Sequence, residues 1–83
     1  MNWTVIWKPS VQDELAQLWT GSDDRQAITR AADRIDEALK ADPQSLGESR
    51  SGRTRIAFES PLAVQFDVHE EDRIVYVLRI RHR

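Results

Sequence analysis

The chain has 83 residues, a formal net charge of −2 and no cysteine. That length suits one domain and not two, and the missing cysteine excludes a disulfide framework and any thiolate metal site. No apolar run approaches the ~20 residues of a bilayer-spanning helix, and Met1 to Pro9 lacks a signal core and a cleavage site, so a cytoplasmic location without a membrane partner is expected.

Trp3, Val5 and Trp7 alternate with Thr4, Ile6 and Lys8, the period-2 signature of a strand. Pro9-Ser10 then opens a helix, with Ser10 as expected N-cap and Asp13 and Glu14 in its first turn. Val11, Leu15, Leu18 and Trp19 form its apolar stripe, and Gly21 ends it. Ser22, Asp23 or Asp24 caps a second helix whose stripe is Ala27, Ile28, Ala31, Ile35, Ala38 and Leu39. Asp42-Pro43 stops it, and so short a connection predicts an antiparallel helical hairpin. Asp33, Asp36 and Glu37 read as its solvated face, and Trp3, Trp7 and Trp19 as packing residues.

Pro43 to Gly52 reads as a polar loop, the longest irregular stretch and so an expected place for function. Three strands follow, over Arg53 to Glu59, Leu62 to His69 and Arg73 to Arg81. The turns between them, at Ser60-Pro61 and Glu70 to Asp72, are too short for crossovers, so the strands form an antiparallel meander. Leu62, Val64, Phe66 and Val68 share one side of the second strand. Ile74, Tyr76, Leu78 and Ile80 are expected on the apolar side of the third, opposite Arg73, Val75, Val77, Arg79 and Arg81. The expected class is α+β: one N-terminal strand, a helical hairpin and a three-stranded meander, with the helices on one face of the sheet.

The net charge hides an asymmetry. Between Val11 and Glu48 the acids Asp13, Glu14, Asp23, Asp24, Asp33, Asp36, Glu37, Asp42 and Glu48 face only Arg25, Arg30, Arg34 and Lys40, whereas the last third carries Arg50, Arg53, Arg55, Arg73, Arg79, Arg81 and Arg83. If Ile56 and Phe58 face the helices, Arg53 and Arg55 share the uncovered side with Arg79 and Arg81. Arg50 then sits in the loop feeding that surface, and His82 and Arg83 at its end. Guanidinium forks bind phosphate bidentately and stay charged, and a histidine can act as acid or base near neutral pH. Such a cluster could hold a scissile phosphate, with Arg53, Arg55, Arg79, Arg81 and His82 as candidate catalytic groups and Arg50 and Arg83 as substrate-binding ones. That chemistry needs no metal or cofactor. The ordinary alternative is a solvated face whose arginines pair with Asp67 and Glu59, with His69 an exposed turn residue.

Taken together, these segments resemble the RelE/ParE superfamily of toxins from toxin–antitoxin pairs, over nearly the whole chain. The similar segments are Trp3 to Ser10 with Leu15 to Trp19, Leu39 to Pro43 with Leu46 to Arg50, Arg55 to Phe58, Pro61 to Val68 and Asp72 to Arg83. The resemblance implies a cognate antitoxin that wraps the sheet, the helices or both. It also implies one of two activities. One is metal-independent cleavage of mRNA on the ribosome, with Arg53, Arg55, Arg79 or Arg81 and His82 standing for its basic residues and terminal acid or base. The other is non-enzymatic poisoning of DNA gyrase. The arginines favour cleavage as the expectation. Ala63, where an arginine is usual, motivates a third, an inactive antitoxin-binding module.

Overall fold

The computed structural model describes residues 2–83. The alternating N-terminal segment forms β1 (Thr4–Trp7), and Pro9 then starts α1 (Pro9–Gly21). Proline itself occupies the first helical position, where its fixed φ and missing N–H do no harm, and Lys8 is the N-cap. Ser10 is therefore inside the helix and is not its cap, and the acids Asp13 and Glu14 fall beyond its first turn. Gly21 ends α1 as expected. Asp24 caps α2 (Arg25–Ala41), accepting the Ala27 N–H at 3.0 Å. Ile28, Ala31, Ile35 and Leu39 recur at helical spacing and are all buried.

The segment after α2 is more ordered than its composition suggests. A 3-10 turn (Pro43–Ser45) leads into β2 (Glu48–Ser51), which pairs antiparallel with β3 (Thr54–Glu59). All four residues of β2 are exposed. A strand open to water on both faces has no apolar alternation, so the period-2 signal on which recognition depends is absent. Gly47 lies just before it at φ 69°, where a Cβ would overlap the Ile56 carbonyl oxygen and approach Ala57 Cβ to 2.8 Å.

β4 (Leu62–His69) and β5 (Ile74–His82) complete a five-stranded sheet of order β1-β5-β4-β3-β2. β1 joins at the edge of β5, in parallel, from Thr4↔Ile74 to Trp7↔Val77. The other neighbouring pairs are antiparallel. Leu62, Val64, Phe66 and Val68 are buried beneath the helices, as expected.

The two flanking strands depart from expectation. In β3, Arg55 pairs with Phe66, Ala57 with Val64 and Glu59 with Leu62. Directly paired residues share a face, so Arg55, Ala57 and Glu59 lie on the helix-facing side. Thr54, Ile56 and Phe58 lie on the other. Small Ala57 fits under α2, and Glu59 meets Arg34 of α2 at 2.6 Å. In β5 a bulge interrupts the pairing: Phe66 faces Val77 and Gln65 faces Arg79, leaving Leu78 between them. The extra residue shifts the alternation, so Val75, Val77 and Ile80 are buried, whereas Ile74 and Tyr76 turn to the open side.

One polar clamp joins the layers. Trp7 Nε1–H donates to Asp36 Oδ1 at 2.9 Å, and Lys40 Nζ lies 2.9 Å from Asp36 Oδ2. Asp36 is thus half-buried and partnered, unlike a solvated face residue. Partial burial pushes its carboxyl up, but the hydrogen bonds from Lys40 and Trp7 outweigh it and hold it below the usual carboxylate range. A carboxyl lowered by folding stabilises the protein above its unfolded value near 4, and that contribution disappears as pH falls through the lower folded value. Asp36→Asn should therefore flatten the acid side of the stability–pH curve, measured by urea unfolding across that range.

Substitution of core and turn residues should separate in size. Phe66→Ala empties a fully buried site and should lower stability by about 3–5 kcal/mol. Gly47→Ala combines a positive φ with a steric overlap and should destabilise by more than about 1 kcal/mol. Gly52→Ala meets no atom within 4 Å and should be milder. Denaturant midpoints measure all three.

Candidate functional site

The sheet face turned away from the helices is built in cross-strand rows. Phe58, Ala63 and Arg81 form one row, Ile56, Gln65 and Arg79 the next, and Thr54, Asp67 and Tyr76 a third. Arg83 joins the first row: its backbone N–H donates to Pro61 O at 2.7 Å, and its guanidinium carbon sits 4.5 Å from the Phe58 ring centroid. In the third row, Thr54 Oγ1 donates to Asp67 Oδ1 at 2.6 Å. The Tyr76 ring meets His69 edge-on, with centroids 5.0 Å apart.

The bulge at Leu78 is what brings Arg79 and Arg81 to this face. Arg79 is then drawn to the sheet edge by α1. β1 covers β5 only as far as Val77, and beyond it Glu14 occupies the unpaired edge. Glu14 Oε1 accepts the Ile80 N–H at 3.3 Å, and Oε2 lies 3.4 Å from Arg79 Nε. Arg81 and Arg83 are exposed, and neither forms an ion pair among the described residues.

The remaining candidate residues are elsewhere. Arg55 is on the helix-facing side, where Nε donates to Leu46 O and Nη2 to Gly47 O, both at 3.0 Å. It clasps the chain before β2. Arg53 lies at the β2–β3 turn, its Nη1 donating to His69 Nδ1 at 2.8 Å and lying 2.9 Å from Glu71 Oε1. Arg53 and Arg55 border a polar hollow of about 230 Å³ together with Gln44, Glu70 and Glu71. His69 is thus a half-buried member of a cluster and not a free turn residue. His82 pairs with Leu62, which puts it on the helix-facing side, beside Leu18, Gly21 and Asp24. Arg50 is exposed on the edge strand β2, where the register shifts. Asp67 and Glu59, the expected arginine partners of this face, bind Thr54 and Arg34 instead.

The structure therefore gathers Arg79, Arg81 and Arg83 and separates them from Arg53, Arg55 and His82. Phe58 and Tyr76 belong to the same face and were not expected there. A usable signal for Phe58 was the firmer alternation of β4, because a two-residue turn after Glu59 dictates which β3 residues accompany its buried set.

On the helical side, Trp7, Leu15, Trp19, Ile28 and Ala32 line an apolar groove of about 800 Å³ between α1 and α2. Among the described residues, no set of three or more His, Asp or Glu groups is placed to hold a metal ion. None of the described helices is long and apolar enough to cross a membrane.

A helical hairpin on one face of a mixed five-stranded sheet is a fold shared with chains of several solved toxin–antitoxin systems. The RelBE2 toxin–antitoxin complex of Mycobacterium tuberculosis includes a chain superimposing with a TM-score of 0.82 at 17% identity, over 100% of this chain and 93% of that one. The RelE–RelB complex of Pyrococcus horikoshii gives 0.73 at 16% identity, covering 100% and 97%. The chromosomal ParDE system of P. aeruginosa gives 0.72 at 14% identity, covering 96% and 95%. These likenesses establish the fold. No curated relative matches by sequence. The family model described as the ParE toxin of the type II toxin-antitoxin system, parDE, matches residues 5–83. The chain belongs to that family of RelE/ParE toxins.

The Glu14 contact is partly exposed and long, so Glu14→Ala should lower stability by less than about 1 kcal/mol. The denaturant m-value should stay unchanged, as checked by urea unfolding.

Proposed function

We propose that this toxin acts in the cytoplasm, is neutralised by a cognate antitoxin, and works by binding a protein target through the open face of its sheet, in the manner of a DNA gyrase poison. The observation that carries this reading is the division of the basic groups. Arg81 and Arg83 lie on the open face without an ion-pair partner among the described residues, whereas His82 is on the opposite side and Arg55 is engaged with backbone carbonyls. Phosphodiester cleavage needs an acid or base within reach of the phosphate-binding groups. A binding surface needs only exposed anchors of complementary shape and charge. The match to the ParE family supports the same choice.

A second reading, ribosome-dependent mRNA cleavage without a metal or cofactor, is favoured by the grouping of Arg79, Arg81 and Arg83. In it Arg53, Arg55, Arg79, Arg81 and His82 contribute the chemistry, and Arg50 and Arg83 hold the strand on the ribosome.

Induced expression separates the two. Binding to gyrase predicts growth arrest with a DNA-damage response, loss of supercoiling by purified gyrase, and uncut transcripts. The double variant Arg81→Glu, Arg83→Glu should abolish arrest, whereas Arg53→Glu and His82→Ala should leave most of it. Transcript ends at ribosome-engaged codons, lost in Arg53→Glu or His82→Ala, would reverse the assignment. Harmless overexpression would leave only an antitoxin-binding module.

A further inference from the structure

The row Phe58–Ala63–Arg81 is unusual for a solvated sheet. Phe58 is 51% exposed even though the Arg83 guanidinium carbon sits 4.5 Å from its ring centroid. Its direct neighbour on β4 is Ala63, whose direct neighbour on β5 is Arg81. Cross-strand partners stand about 5 Å apart at Cβ. A methyl group between a phenyl ring and an arginine therefore leaves a notch about one side chain wide, with Ala63 as floor and Phe58 and Arg81 as walls. The adjoining row extends both walls in kind, Ile56 on the β3 side and Arg79 on the β5 side.

Resting on the reading that this face engages the toxin's target, we infer that the notch binds a protein segment in which an apolar side chain is flanked by carboxylates. The apolar group fills the space over Ala63 against the Phe58 ring. The flanking carboxylates reach Arg81 and Arg83, whose guanidiniums have no ion-pair partner among the described residues. By contrast, Arg34, Arg53 and Arg79 are already paired with Glu59, Glu71 and Glu14. An aromatic anchor with arginines at its rim has the composition of a protein–protein hot spot. A single-stranded nucleic acid would want a continuous basic track. Here Glu48, opposite Ile56, and Asp67, in the third row, border the patch, and the whole chain is net negative.

The test uses the full chain and a fluorescein-labelled peptide of alternating aspartate and leucine, read by fluorescence anisotropy. Ala63→Trp fills the notch without touching the core, and Arg81→Glu and Arg83→Glu reverse its rim. Each should weaken peptide binding roughly tenfold or more, with unfolding midpoints near that of the wild type. A peptide with serine in place of leucine should also bind at least about tenfold more weakly. Undiminished binding by Ala63→Trp, equal binding of the serine peptide, or tighter binding of an oligouridine of similar length would overturn the inference. Growth arrest supplies the second arm. If the wild type arrests growth and Ala63→Trp does so equally, the notch is not the target contact, although the toxin reading stands. If the wild type does not arrest growth, the toxin reading fails, and the peptide result alone decides the notch.

Discussion

The apolar side of β4 governs the rest of the sheet. Leu62, Val64, Phe66 and Val68 are the largest continuous contribution of any strand to the core, and α2 packs onto them with Ile28, Ala31, Ile35 and Leu39. Burying each such side chain is worth about 1.5–3 kcal/mol, and a slip of one residue would expose all four at once. No weaker preference in a neighbouring strand can compete with that. β3 and β5 therefore adopt whatever phase β4 imposes, even where it leaves Phe58 in water, puts Ile56 on the open face and brings Arg55 to the helical side.

This hierarchy explains what could be read from the residues alone. The helices were legible because their apolar positions recur at one spacing and their limits coincide with Pro9, Gly21, Asp24 and Asp42-Pro43. β4 was legible for the same reason at period 2. β3 was not, because Thr54 to Glu59 supports two sidedness assignments, and the bulkier pair Ile56 and Phe58 suggests the wrong one. Ala57, opposite Val64, is the residue that α2 buries, and that burial is not legible in β3 alone. β5 resisted because a bulge lies outside any fixed period, and β2 because an edge strand wetted on both sides has no period to find.

The candidate site followed the same division. Arg79, Arg81 and Arg83 reached the uncovered face as expected, although Arg79 and Arg81 do so only through the irregularity in β5. Arg53, Arg55 and His82 went elsewhere because their strands took the phase that β4 required. What remained is a smaller, more hydrophobic patch than a phosphate-binding cleft. Its charge is opposite in sign to that of the helical half of the chain, where acids predominate. Such a molecule carries a dipolar charge distribution that can orient an approaching partner as well as hold it.

Leu78 gives the last strand an asymmetric tolerance to changes in length. With it, β5 shows valines inward in its first half and arginines outward in its second, an arrangement for which an uninterrupted strand of the same residues has no register. Losing Leu78 would straighten the ladder and leave every remaining side chain on its present side. Losing Val77 or Arg79 would let Leu78 take the vacated place in the ladder, and losing a residue farther away would turn over only the side chains between the gap and Leu78. The strand thus carries one residue more than its ladder uses.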